Sequence, residues 1–153
     1  MDNPNKIELE KELKQHLEER KHKIRLLTEE FLTIEYDVQH KWICAEWRAN
    51  QTEITVKEGC SLLLELVKEF EVEKVLNDSS TITGNRTILA NWIGTRCFPQ
   101  MKTTGVKYVA WVYGQSGLSQ VAIDEALDDI PGCDIVKSFY SLEEAKSWLK
   151  NNY

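Results

Sequence analysis

Asn77, Asp78, Ser79, Thr81, Asn85 and Arg86 fall within ten consecutive positions that read as a polar loop at the carboxyl end of one strand and just ahead of a helix. In open α/β folds ligands bind at that place, and the amides of a helix N-terminus with a nearby arginine can hold an anion. Trp92, Trp111 and Tyr113, from later segments, supply aromatic surface for the rest of an anionic or amphipathic ligand. The same residue types also favour plain turns and helix caps, and the stretch has neither P-loop nor dinucleotide-binding glycine spacing. An ordinary turn is therefore the simpler account of it.

Other reactive side chains are scattered. His16, His22 and His40 sit in a charged helical segment or in a hairpin turn, and none has a metal-ligating partner at useful spacing. Cys44, Cys60, Cys97 and Cys133 show no C-x-x-C pairing and lie mostly in apolar segments, as small buried thiols of a reducing compartment do. Cys97 is the one conceivable nucleophile, and its neighbours Arg96 and Phe98 offer it no base. The acids Asp124-Glu125 and Asp128-Asp129 are adjacent and point different ways on a helix, which suits a solvated face. Nucleophile-elbow, zincin and Walker sequences are absent. The expectation is a non-enzymatic protein with no metal and no cofactor.

A charge pattern points to an interface instead. No acidic residue occurs between Asp78 and Asp124, whereas Arg86, Arg96, Lys102 and Lys107 lie there among Trp92, Phe98, Tyr108, Trp111 and Tyr113. A buried central strand explains part of this stretch. It does not explain the helix within it, which carries no glutamate where a solvent-facing helix usually does. Trp92, Arg96 and Phe98 are accordingly the expected contact residues, most simply of a symmetric homodimer.

With 153 residues and 42% hydrophobic content, the chain can bury a core without disulfides. The net charge of -6 argues against nucleic acid as a partner. The first thirty residues carry charge throughout, and no apolar run reaches membrane-spanning length, so a cytoplasmic protein without a membrane span is expected.

The elements that must position these residues follow from hydrophobic period. Asn5 to about Leu27, with Leu9, Leu13, Leu17, Ile24 and Leu27 near one face, predicts a charged amphipathic helix, so residues 1–30 are set apart from a domain at 31–153. Its simplest use is to dock on that domain, although self-association is also open. Phe31–Asp37 and Trp42–Ala49 read as an antiparallel hairpin. Thr55 to Glu58 has capping-box spacing ahead of a helix that runs to about Phe70. A short strand at Lys74–Asp78, the loop Ser79–Asn85 and a helix from about Arg86 to Met101 come next. Val106–Tyr113 follows as a central strand, then a helix at Leu118–Leu127, a strand at Asp134–Phe139 and a last helix capped at Ser141. The expected fold is α/β, a mixed and mostly parallel sheet with an antiparallel first hairpin, in the order ββαβαβαβα after the N-terminal helix.

That order, with the strings FLTIEYD and WICAEW, KVLND before a polar loop, NWIGTRCFPQM, GVKYVAWVY and YSLEEAKSWL, resembles the SpoIIAA-like, STAS-type α/β domains of bacteria over roughly residues 28 to 151. The resemblance implies a regulatory or protein-interaction module. Anti-sigma-factor antagonists of the wider group carry a phosphorylatable serine after a strand, and Asp78-Ser79-Ser80 stands in about that place, so Ser79 or Ser80 is the implied phosphorylation site. Here Thr81-Ile82-Thr83-Gly84 follows, and its glycine comes later than in that pattern. The SpoIIAA-like group itself is largely without assigned activity, and its fold also resembles lipid-carrying CRAL-TRIO domains.

Overall fold

The computed structural model describes residues 4–83, 91–113 and 127–152. Its sheet has six strands: β1 (Lys23–Thr28), β2 (Leu32–Asp37), β3 (Trp42–Asn50), β4 (Lys74–Thr83), β5 (Tyr108–Val112) and β6 (Val136–Phe139). They lie side by side in chain order. The first three form an antiparallel meander, and β3 to β6 pair parallel. The α/β class and the mixed sheet are as expected, with one strand more at the amino-terminal edge.

That strand replaces the end of the expected first helix. α1 (Pro4–Arg20) stops early, and Lys21 and His22 turn the chain into β1. Leu26 and Leu27 decide the outcome, because as strand residues they pack against the sheet core, while Arg25 pairs with Glu35 of β2 at 2.8 Å. α1 also does not dock. Ile7, Leu9, Leu13 and Leu17 are all more than half exposed.

β2 and β3 alternate strictly, so Leu32, Ile34, Ile43, Ala45 and Trp47 enter one face of the sheet and Thr33, Glu35, Asp37, Cys44 and Glu46 the other. The first face is covered by α2 (Glu53–Phe70). Its cap is not the Thr55–Glu58 box expected. Thr52 is the N-cap, and its hydroxyl and that of Thr55 each take the other's backbone N–H, at 3.2 and 2.9 Å. Gly59 then lets the helix lie directly on Trp47, since a Cβ there would stand 2.5 Å from the indole.

The same face receives the helical segment 91–103, whose π-helical turn Ile93–Cys97 leads into α3 (Phe98–Thr103). Pro99 accounts for the wide turn: without an N–H it cannot continue the α-helical ladder, and Phe98 N–H reaches Ile93 O, five residues back. Residues 86–90 of the expected helix, and nearly all of the one expected at Leu118–Leu127, lie outside the described residues. β5 is the doubly buried strand anticipated at Val106–Tyr113.

The opposite face is covered by α4 (Leu142–Asn151) alone among the described elements. Ser141 Oγ caps it by accepting the Glu144 N–H. Ala145 and Leu149 pack on Leu76, Ala110, Val112 and Phe139 of β4, β5 and β6. Beside it, the β1–β3 half of that face carries polar side chains.

Candidate functional site

The residues expected to form one ligand loop are divided between the two faces of β4. The loop expected at Ser79–Asn85 is strand as far as Thr83, while Asn85 and Arg86 lie outside the described residues. Asn77 is fully buried on the helix-covered face, where its Oδ1 accepts the Trp47 indole N–H at 2.9 Å and its Nδ2 has no partner. Ser79 faces the same way, 4% exposed, and its Oγ accepts the Trp111 indole N–H at 3.2 Å. Trp111 meets Phe98 and Tyr113 edge-on, with centroids 5.7 and 5.9 Å apart. This cluster is core. Phe98 is wholly buried within it, so of the three expected contact residues only Trp92 and Arg96 reach the surface. The Arg96 guanidinium lies 5.5 Å from the Trp92 ring centroid and the Lys57 ammonium 5.2 Å.

Asp78 and Ser80 turn to the other face. Between Asp78 and Thr81 β4 advances three residues while β3 advances two, from Glu46 to Arg48, which makes a β-bulge. Asp78 Oδ1 stabilises it by accepting the Ser80 N–H at 2.9 Å and the Ser80 hydroxyl at 2.6 Å. Ser80 is partly exposed.

Asp78 also closes one end of a pocket of about 140 Å³ between α4 and the bare half of the sheet. The register lays out its floor in rows across the strands. Lys23, Asp37 and Trp42 form the first, Glu35, Cys44 and Leu76 the second, and Thr33, Glu46 and Asp78 the third. Leu142 and Lys146 of α4 form the side wall. Glu35 is held by Arg25, and Asp37 by the ring of His40, whose Nδ1 is 2.9 Å from Oδ2. His40 in turn stacks on Trp42, with centroids 4.4 Å apart.

No protein-family model matches this sequence, and no curated protein matches it.

Cys44, Cys97 and Cys133 are held in the thiol form at neutral pH. Burial, with Asp78 nearby, pushes Cys44 up to about 12. Its hydrogen bond with Cys60 and its burial hold Cys97 well above the ordinary thiol range, so this residue is poorly suited to attack. Burial beside Asp134 raises Cys133 to about 11, and its Sγ donates to Gly94 O at 2.9 Å. Among the described residues no three His, Cys, Asp or Glu side chains are grouped to hold a metal ion, and no helix is long and apolar enough to cross a membrane.

Thr33, Glu46 and Lys146 were not foreseen as site residues. The alternation in Leu-Thr-Ile-Glu-Tyr-Asp signals a polar second face, but that a pocket lies there depends on how far α4 extends across the sheet.

Proposed function

We propose that this chain is a non-catalytic regulatory module of the STAS-like type, acting through protein contacts and switched by phosphorylation of Ser80. The observation that carries the reading is the bulge at the end of β4, where Asp78 accepts both the amide and the hydroxyl of Ser80. A phosphate on that hydroxyl removes the hydrogen bond to Asp78 and sets roughly two negative charges beside a carboxylate 8% exposed, with Glu46 on the neighbouring strand. Repulsion in so dry a place loosens the strand end and changes the surface a partner meets. Ser79 suits the role less well, because its hydroxyl is buried against Trp111. The contact surface in this reading is the face of Trp92, flanked by Lys57 and Arg96, and a second copy of the chain is its simplest occupant.

Site mapping of the protein isolated from its own cells should find phosphate on Ser80 and none on Ser79. Ser80→Asp should speed amide exchange over residues 78–83, whereas Ser80→Ala should leave the Trp92 face unchanged. Light scattering should find a dimer that Trp92→Glu dissociates. An unmodified Ser80 under all growth conditions defeats the switch, and a monomer at high micromolar concentration defeats the dimer.

A further inference from the structure

We propose that two copies of this chain pack with their two-fold axis along the helical segment 91–103, so that Arg96 and Lys57 of each copy meet Asp128 and Asp129 of the other. The inference rests on the Trp92 face being the contact surface, as proposed above, and adds what that face is matched to.

The segment 91–103 has a different neighbour on each flank. On one side Arg96 lies over Trp92, and Lys57 of α2 reaches the same ring. Ile54, about one helical turn ahead of Lys57, is 76% exposed, more than any other large apolar side chain among the described residues. On the other side Gly94 faces the stretch 127–133. A Cβ on it would stand 3.8 Å from both Leu127 and Ile130, and its carbonyl accepts the Cys133 thiol. That stretch carries Asp128 and Asp129, both exposed, beside the half-buried Ile130 and the exposed Pro131. Between the flanks, Asn91, Thr95 and Gln100 are exposed and uncharged.

Each flank therefore combines apolar surface with charge, and the signs are opposite. The charges do not meet within one chain. Among the described residues Arg96, Asp128 and Asp129 form no ion pair, and Lys57 pairs only with Glu53, at 3.0 Å and half-exposed. An isologous interface sets one patch against itself, so the direction of its axis decides which flanks meet. An axis across the segment would bring cations to cations. An axis along it exchanges the flanks: Arg96 and Lys57 then meet the acids of the second copy, and Ile54 and Trp92 meet Ile130 and Pro131. Juxtaposed like charges are costly at an interface, so charge selects the second arrangement. Self-complementarity of this kind is what a second copy requires and an unrelated partner does not.

The test uses two charge-reversed variants of the full chain, Lys57→Glu with Arg96→Glu, and Asp128→Lys with Asp129→Lys. All four side chains are exposed, and circular dichroism should find both folds intact. Sedimentation of either variant alone should show a dimer dissociation constant raised about tenfold or more, because symmetry repeats every lost contact. Equimolar mixing should restore association, with native mass spectrometry finding the heterodimer in excess over both homodimers. If Trp92→Glu dissociates the parent dimer and reversal at Asp128 and Asp129 does not weaken it, the contact face stands and this arrangement falls. Tighter dimerisation of Lys57→Glu with Arg96→Glu than of the parent overturns it in favour of an axis across the segment. Absence of the heterodimer on mixing overturns it outright. A parent that stays monomeric at high micromolar concentration removes both this arrangement and the dimer it refines.

Discussion

Replacing Thr33 by valine should make the protein more stable. The hydroxyl lost is buried and unpaired, and leaving such a group unsatisfied costs roughly 1–3 kcal/mol. Valine has nearly the same outline and an equally good strand propensity, so neither packing nor the β2 backbone has reason to object. A gain of about 1–2 kcal/mol is expected, near the lower part of that range because the unfolded chain keeps some compactness. For a chain of this length each kcal/mol moves the melting temperature by roughly 2–4 °C, giving a rise of about 2–8 °C. Urea unfolding followed by tryptophan fluorescence should show a higher midpoint with an unchanged slope, the sign that stability and not compactness has altered. A variant less stable than the parent by more than about 0.5 kcal/mol would refute the reasoning, since the hydroxyl would then have had a partner in solution.

Gly59→Ala should destabilise despite its better helix propensity. The new methyl would lie 2.5 Å from the indole of the fully buried Trp47 and 3.0 Å from Leu32. Overpacking of that kind costs about 1–3 kcal/mol, against at most about 1 kcal/mol gained from propensity. Urea midpoints of the two proteins decide the sign. Alkaline titration tests the thiols: the unfolded chain releases their protons from about pH 9, whereas folding holds Cys133 to about 11 and Cys44 to about 12. Between those limits the unfolded state binds fewer protons, so stability should fall as pH rises through the window, by calorimetry. Iodoacetamide at pH 8 should correspondingly label these two cysteines far more slowly in the native protein than in urea.

Several elements are legible because a single signal governs each. The helical period from Cys60 to Phe70 fixes α2, the near-continuous apolar run around Val109 fixes β5, and Ser141 with Glu144 fixes the start of α4. β1 is harder to read. Leu27 fits a helical stripe as well as a strand, and only the packing of Leu26 and Leu27 against a sheet formed by residues further along decides between them. The second half of β4 misleads for a different reason. Ser79 and Thr81 have turn-forming side chains, yet here one hydroxyl takes the Trp111 N–H and the other donates to Trp47 O, so long-range partners satisfy them within a strand. The dispersal of the expected ligand loop follows from this, because strand geometry sends alternate residues to opposite faces. The pocket is the least legible feature, since its charges come from five separate elements and no local pattern links Lys23 to Lys146.

Strand order in the sheet has a consequence for its exposed edges. Because neighbours in sequence are neighbours in the sheet, β1 and β6 are its two edges among the described residues. An edge of unpaired backbone groups invites another chain to add a strand, and long flat edges lead to fibrils. Here β6 is only four residues long and carries Lys137, while β1 is kinked between Arg25 and Leu27 and presents Lys23 and Arg25. Short length, a kink and positive charge are the usual defences against strand addition. The sheet is therefore built to end at its own borders, and a second chain that meets it there finds little to extend.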